Sequence, residues 1–253
     1  MLTSGIAGTA KRGGPMEGFD LARRLTAEAL DTALLVAAVI GSGIMADRLS
    51  GGNVALALLC NTLATGAILV VIITIFAAIS GAHFNPAVTL ADAALGRMRW
   101  PEVPHYVVAQ VAGAFLGVAS AHAMFDRPLF TFSTQARAGA PQLFSEFVAT
   151  FGLLSVIRGC AKSRPAVVPF AVGAYITAAY WFTASTSFAN PAVTLARSFT
   201  DTFSGIRPVD SPGFIVAQLA GAAASTAFFR WLVPVRIGFR EVAHPDEAPE
   251  EVV

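Results

Sequence analysis

The sequence NPAVTLA occurs twice in this chain, at residues 85–91 and again at residues 190–196. The first copy runs into Asp92, whereas the second runs into Arg197. Asparagine is a favoured cap residue, and proline fits the first turn of a helix because its missing N–H is one that this turn leaves unpaired. Each copy therefore predicts a helix that begins at its asparagine, Asn85 or Asn190.

The composition places the chain in a membrane. Of its 253 residues, 55% are hydrophobic and only 13% are charged, and the mean hydropathy is +0.64. A soluble domain of this size does not bury so much apolar surface. A helix needs about 20 apolar residues to cross the hydrocarbon core of a bilayer. Six segments satisfy this requirement, and we predict membrane spans at Ala27–Ala46, Val54–Ile79, His105–Phe125, Leu143–Cys160, Val167–Ala184 and Gly213–Val233.

The two halves of the chain match at three places, in the same order. Glu28 and Glu146 each open an apolar run, VAQVAG at 108–113 returns as VAQLAG at 216–221, and the NPAVTLA segments form the third pair. Because the matched positions lie about 110 residues apart, they indicate an internal duplication. Three spans per half place the second half upside down relative to the first, so we predict an inverted repeat.

This repeat predicts an all-α membrane protein with six transmembrane helices and two half-helices. The first 24 residues lack the apolar core of a cleaved signal, and the placement of Lys and Arg favours the cytosol for both termini. The acidic end of the chain, 241–253, is predicted to be disordered. The predicted organisation is a cytosolic tail 1–24, a first three-span repeat 25–125 with a half-helix 85–96, an outer connecting loop 126–142, a second three-span repeat 143–235 with a half-helix 190–200, and a cytosolic tail 236–253.

The half-helices predict a water-filled path through the membrane. Each has about a dozen residues, roughly half the thickness of a bilayer. Non-helical backbone at this depth is tolerated only where protein or water surrounds it, so the polar segments 80–84 and 183–188 should line a path. Each of the two helix N-termini at the middle of this path carries a partial positive charge, and these charges repel cations. The side-chain amides of Asn85 and Asn190 can then hold the oxygen of a passing neutral solute.

Two NPA segments in matching halves of a six-span chain, with SGAHFNPAVT at 80–89, resemble the aquaporin and aquaglyceroporin (major intrinsic protein) family. The resemblance covers residues 25–235. It implies a homotetramer with one pore per subunit, Asn85 and Asn190 at a central constriction, and a narrower filter toward the outside. It also implies that Glu28 and Glu146 accept hydrogen bonds from the half-helix loops, whereas an intramembrane carboxylate alone suggests a role such as a proton relay.

The filter that this resemblance implies has an unusual composition. Most family members carry arginine directly after the second NPA, where this chain has Val193. The other filter positions fall on Thr65, on Ser187 and, in the fifth span, on either Tyr180 or Ala178. We predict a ring of Thr65, Tyr180, Ser187 and Val193 that is wide, neutral and mixed in polarity. Such a ring admits solutes larger than water and excludes ions less strictly than one with an arginine.

Three residues near the NPA segments have open interpretations. Arg197 lies about 6 Å beyond Val193 along its half-helix. It is either an interfacial arginine that reaches out of the membrane or a displaced filter arginine. His83 either donates to the solute or is hydrogen-bonded into its own loop. Asp92 is expected to pair with a loop arginine at the cytosolic mouth of the path.

Other polar and small residues of the spans are expected in the packing between helices. We predict buried thiols at Cys60 and Cys160, with no disulfide or metal framework. Helix contacts outside the pore are predicted for Gln110, Gly113, Gln218 and Gly221.

The sequence therefore predicts a passive channel for small uncharged solutes, in the bacterial inner (plasma) membrane. A valine filter and the run NPAVTLARS resemble bacterial aquaglyceroporins associated with arsenic detoxification, which implies glycerol-like polyols, trivalent arsenic hydroxide and methylated arsenicals as solutes, with water left open. The alternative is a secondary transporter, a class that also uses inverted repeats. No convincing catalytic constellation predicts an enzyme. The expected partners are small neutral solutes, the lipid bilayer and further copies of the chain; we expect no cofactor, metal or nucleic acid.

Overall fold

The computed structural model describes residues 18–161 and 163–233, and this part of the chain is helical throughout, apart from turns and loops. The predicted tail 236–253 and most of the predicted tail 1–24 lie outside the described residues. Short 3-10 turns at Trp100–Glu102 and Pro165–Val167 precede two of the helices. The helices are α1 Leu21–Leu49, α2 Val54–Phe76, α3 Pro86–Ala94, α4 Val103–Met124, α5 Ala140–Ala161, α6 Val168–Phe182, α7 Pro191–Arg197 and α8 Ser211–Leu232.

Six of these helices, two of them together with the 3-10 turn that precedes them, are long and apolar enough to cross a membrane, and α3 and α7 are the two short half-helices. The predicted fold class is confirmed. The first span begins at Leu21 rather than at the predicted Ala27, because the Asp20 side chain caps the helix by accepting a hydrogen bond from the backbone N–H of Arg23 (2.9 Å). The half-helices end earlier than predicted: α3 stops before Gly96, whose φ of +70° is outside the helical region.

The two half-helices begin as the sequence predicts. Asn85 accepts from the backbone N–H of Ala87 (2.9 Å), and Asn190 accepts from Ala192 (3.0 Å) and Val193 (3.3 Å). Both asparagines have extended backbone, as N-cap residues do, and the proline follows each of them.

The helices pass back and forth between two sides of the bundle. We call the side where α1 begins and α8 ends the terminal side, and the side that carries the connection 126–142 the loop side. A terminal-side ion pair joins Arg24 at the start of α1 to Glu102 before α4 (2.9 Å). A loop-side hydrogen bond runs from Arg48 near the end of α1 to the backbone oxygen of Phe125 (3.1 Å). Helices α1 and α4 therefore run in the same direction, from the terminal side to the loop side.

Close helix pairs form the two halves. In α4, a side chain at Gly113 would collide with the backbone of Ala29 in α1, and in α8 a side chain at Gly221 would collide with the backbone of Phe147 in α5. The equivalent glycines of the repeat therefore permit equivalent close contacts between α1 and α4 and between α5 and α8.

Apolar side chains also cover the outside of the bundle. Leu63, Val108 and Trp231 are each more than half exposed, as a lipid-facing surface requires. Cys60 is exposed and Cys160 is half-buried. The expectation that both thiols are buried is wrong, because these two positions lie on helix faces that point away from the packed centre.

Candidate functional site

Two buried carboxylates fix the loops that lead into the half-helices. Glu28 accepts from the backbone N–H groups of His83 (2.9 Å) and Phe84 (2.8 Å), and Glu146 accepts from those of Phe188 and Ala189 (both 2.9 Å). Both carboxylates are fully buried. A buried carboxylate is costly unless hydrogen bonds satisfy it, and here backbone donors do so.

The loops need this support because their backbone is strained. Non-glycine residues occupy the left-handed region at equivalent places of the repeat, with φ of +50° at both Ala82 and Ser187, +35° at Phe84 and +49° at Ala189. Such conformations cost about 1–3 kcal/mol each and persist only where the surroundings hold them. The hydrogen bonds to Glu28 and Glu146 supply that support.

Two glutamines connect these carboxylates to the half-helices. Gln110 of α4 donates to Glu28 (2.7 Å) and to the hydroxyl of Thr89 (2.9 Å). Gln218 of α8 makes the equivalent bonds in the other half, to Glu146 (2.6 Å) and to Thr194 (2.8 Å). The sequence predicts helix contacts for both glutamines, and the structure adds that each contacts a half-helix.

The half-helices meet at the middle of the bundle. The Nδ2 atom of Asn85 donates to the backbone oxygen of Ala189 (2.8 Å), and that of Asn190 donates to the backbone oxygen of Phe84 (2.7 Å). Each asparagine thus caps its own helix and binds the loop of the other half. An amide nitrogen has two donors, so each asparagine retains a second N–H for a solute.

A cavity of about 990 Å³ runs past both asparagines from the terminal side. Side chains spaced four residues apart on one face of each helix line it, for example Thr65, Leu69 and Ile73 of α2. The half-helices contribute Val88 and Val193 at equivalent positions. The cavity therefore has a mostly apolar wall interrupted by a few polar groups, the composition that small-molecule sites in proteins usually have.

The four residues of the proposed ring all line this cavity. Thr65 and Tyr180 are within hydrogen-bond distance through their hydroxyl groups (3.2 Å), and Val193 and Ser187 are 4% and 3% exposed. Ala178 does not belong to this wall in the described structure, because its side chain is exposed on the outer face of α6. Of the two fifth-span candidates, Tyr180 therefore has the geometry of a pore residue.

Arg197 lies at the loop-side end of the cavity. It is only 2% exposed, its Nε atom donates to the backbone oxygen of Ser204, and its guanidinium carbon lies 3.3 Å from the centre of the Phe188 ring. This geometry does not fit an interfacial arginine that reaches into water, and it places a cation beside the ring of Thr65 and Tyr180.

On the terminal side, Asp92 lies between two basic groups. Its carboxylate contacts Nε2 of His83 (3.2 Å) and Nη1 of Arg158 (2.8 Å). The Nδ1 atom of His83 lies 3.2 Å from the hydroxyl of Thr89, so both ring nitrogens of this loop residue contact side chains of α3. Asp92 does pair with an arginine, but Arg158 belongs to the last turn of α5.

Sequence reasoning missed three residues of this region: Arg137, Arg158 and Phe188. Phe188 could have been found from the duplication, because it is the counterpart of His83, as Arg197 is of Asp92. Arg137 and Arg158 have no such signal, since a loop and a helix from another part of the chain bring them to the site.

Known proteins resemble this chain in sequence and in fold. The model of the family described as Major intrinsic protein matches residues 16–184. The aquaglyceroporin AqpS of Rhizobium meliloti is 58% identical over 235 residues, which cover 92% of this chain and all of the relative. The rice aquaporin NIP1-3 is 36% identical over 188 residues, which cover 72% of this chain and 65% of the relative. The X-ray structure of the aquaglyceroporin from Plasmodium falciparum superposes with a TM-score of 0.62 at 22% identity, covering 83% of this chain and 96% of that one.

The chain therefore belongs to the major intrinsic protein family. It is a multi-pass membrane protein and a channel for small solutes, not an enzyme. This family assignment also favours the channel over the secondary transporter.

Proposed function

We propose that this protein conducts small uncharged solutes of glycerol size and larger, and that the ring of Thr65, Tyr180, Ser187 and Val193 selects them. The observation that carries this proposal is Val193, which lines the cavity where the family resemblance implies an arginine. Valine has neither the length nor the five donors of a guanidinium, so the ring keeps more room and one apolar side.

The polar groups of the ring suit a polyol. Three hydroxyl groups, on Thr65, Tyr180 and Ser187, can exchange hydrogen bonds with solute hydroxyls, while Val193 contacts the carbon side of the solute. The Oγ atom of Ser187 is buried and has no hydrogen-bond partner among the described residues, so its hydrogen-bonding capacity is unused when no solute is present. Asn85 and Asn190 then hold the solute oxygen at the middle.

The same chemistry supports trivalent arsenic hydroxide and methylated arsenicals as further solutes. Trivalent arsenic hydroxide is a neutral triol of similar size to glycerol, and a methyl group would face Val193. This part of the proposal rests on the resemblance of the valine filter to arsenic-associated aquaglyceroporins. The solute flows down its own concentration gradient, because a channel does not couple solute movement to an ion gradient.

The test compares the native protein with Val193→Arg in proteoliposomes, by light scattering with water, glycerol and an uncharged arsenical. We expect the arginine variant to lose about tenfold in glycerol permeability relative to water, since a longer side chain narrows the ring. Val193→Leu is the matched control, because it adds bulk without charge. Equal glycerol-to-water ratios in native protein and Val193→Arg would refute the assignment of the ring. Saturation at millimolar glycerol, or dependence on an ion gradient, would instead favour the transporter.

We also propose a homotetramer in the bacterial inner membrane, with both termini in the cytosol and the loop side in the periplasm. The support is the family membership and the arginines on the terminal side, among them Arg97 and Arg99. In intact cells, a membrane-impermeant thiol reagent should label Thr134→Cys, on the exposed loop, and should not label Arg99→Cys. Labelling of Arg99→Cys alone would reverse the orientation, and crosslinking in membranes that stops at a dimer would refute the tetramer.

A further inference from the structure

The connection 126–142 folds inward over the loop-side end of α7. Its backbone pairs with the segment that follows this half-helix: Thr131 donates to the oxygen of Phe199 (3.1 Å), and Ser133 donates to the oxygen of Ser198 (3.0 Å). Further along, the backbone N–H of Arg207 donates to the oxygen of Gln135 (2.8 Å). The connection is therefore tied to both flanks of the constriction, and it delivers Arg137 there.

Arg137 binds the loop that precedes the second NPA. Its Nη1 atom donates to the backbone oxygen of Ser185 (3.1 Å) and lies 3.4 Å from the hydroxyl of Thr186, and its Nε atom donates to the backbone oxygen of Gly205 (2.8 Å). Ser185 and Thr186 directly precede Ser187, a residue that lines the cavity. Arg137 thus holds the backbone directly before this lining residue.

The backbone of Arg137 is itself anchored. Its N–H donates to Asp210 (2.8 Å), and the same carboxylate pairs with Arg207 (3.0 Å). The hydrogen bond from Arg207 lowers the pKa of Asp210, so this acceptor stays ionised in the neutral range. The anchor is therefore present at physiological pH.

Two guanidinium groups approach one aromatic ring at this end of the pore. The guanidinium carbon of Arg137 lies 5.0 Å from the centre of the Phe188 ring, and that of Arg197 lies 3.3 Å from it. Neither guanidinium forms an ion pair with a carboxylate of the described residues. Their charges are therefore balanced only at a distance, and they leave a positive potential beside the ring.

We propose that Arg137 is a specificity-determining residue of the channel: it positions Ser187 and Phe188 at the constriction and, with Arg197, supplies there the cation barrier that Val193 lacks. The proposal deepens the function proposed above and rests on it for the size-selective part. Two properties follow from one side chain, because the hydrogen bonds of Arg137 set the width of the ring and its charge opposes cations.

The experiment compares Arg137→Gln and Arg137→Lys with the native protein in proteoliposomes. One readout is the permeability to erythritol and xylitol relative to glycerol, and the other is the leak of protons and potassium. Arg137→Gln should raise the erythritol-to-glycerol ratio about fivefold and raise the cation leak, because it loses both the fork of donors and the charge. Arg137→Lys should raise the ratio but retain the low leak. Exposed Arg127 of the same connection provides the matched control, Arg127→Gln, which should change neither value.

The two readouts separate this inference from the proposed function. If native vesicles do not pass glycerol, the proposed function fails, and the cation leak still tests the charge of Arg137. If native vesicles pass glycerol and Arg137→Gln changes neither the ratio nor the leak, this inference is refuted. Should Arg137→Gln not fold, Asp210→Asn weakens the anchor while keeping the arginine. The Asp210→Asn variant should raise the erythritol-to-glycerol permeability ratio without raising the cation leak. An unchanged permeability ratio would also refute the positioning role of Arg137.

Discussion

Ser187 is the residue at which the proposed conduction and the stability of the fold can be separated. Its side chain is 3% exposed, yet its hydroxyl has no hydrogen-bond partner in the described part of the chain. A buried hydroxyl without a partner costs free energy, and a passing solute that binds it recovers part of that cost. The neighbouring hydroxyls of Thr65 and Tyr180 lie at hydrogen-bond distance from each other, so Ser187 is the ring residue that most needs a solute.

We therefore predict that Ser187→Ala lowers glycerol permeability about two- to tenfold, the value of one hydrogen bond, and leaves the melting temperature in detergent unchanged or slightly raised. The control is Thr62→Val. Thr62 also has a buried hydroxyl without a partner among the described residues, but it is absent from the part of the cavity wall that the structure describes. Light-scattering permeability and thermal unfolding check both variants. A loss of stability in Ser187→Ala without a change in permeability would contradict the prediction.

At the scale of elements, the half-helices depend on groups outside themselves. A helix as short as α7 is not stable alone in water or in lipid. Glu146 holds the strained loop before it, and Gln218 connects that carboxylate to Thr194 in its first turn. The same arrangement around Glu28 holds α3. These carboxylates therefore serve as fixed acceptors in the structure, as the family resemblance implies.

We predict that Glu146→Gln destabilises the protein by about 1–3 kcal/mol, because one carboxylate oxygen becomes an NH₂ donor that faces other donors. The melting temperature in detergent should fall, and glycerol permeability should fall with it, as the loop relaxes. Asp126→Asn makes the same chemical change at an exposed carboxylate and should have no effect. A Glu146→Gln variant with native stability and altered proton flux would instead favour the proton-relay interpretation.

The sequence predicts most of these elements because they depend on local chemistry. Asn85 and Asn190 mark the starts of α3 and α7 through capping, and the apolar lengths reveal the six spans. Counting from the asparagines placed Thr65 on the cavity wall, although the fifth-span position stayed open between two residues until the face of α6 was known. Contacts such as Arg137 with Ser185 depend on the path of a long loop, which no periodicity in the sequence encodes.

At the scale of the whole molecule, an ion pair joins the two halves on the terminal side. Asp92 belongs to the first repeat and Arg158 to the second. The side chain of Arg158 is 3% exposed, and the contact with Asp92 is the ion pair that it makes within the described residues. Removing one partner of a buried pair leaves an uncompensated charge, which costs more than the pair contributes.

Asp92→Ala should therefore lower the free energy of unfolding by about 2–4 kcal/mol. The double variant Asp92→Leu with Arg158→Met should recover most of that loss, because no charge stays buried. Arg99→Ala is the control, since the Arg99 side chain is 82% exposed and its pair with Glu102 contributes little. Thermal unfolding in detergent measures all three variants. If the double variant is no more stable than Asp92→Ala, the ion pair itself stabilises the contact between the two halves, and the loss in Asp92→Ala does not come only from an uncompensated charge.

The mutual bonds at the middle of the bundle have a consequence for how the two halves can diverge. Asn85 binds the loop of the second half and Asn190 binds the loop of the first. The asparagine of each NPAVTLA copy thus binds the residue directly before the other copy, so a change in one half alters the contacts of the other. About two turns further along, the described residues show no such bond between the half-helices, and there the copies differ, with Asp92 in one and Arg197 in the other. A duplicated gene under this constraint can encode a pore whose two ends carry different charged residues while the two asparagines at its centre stay the same.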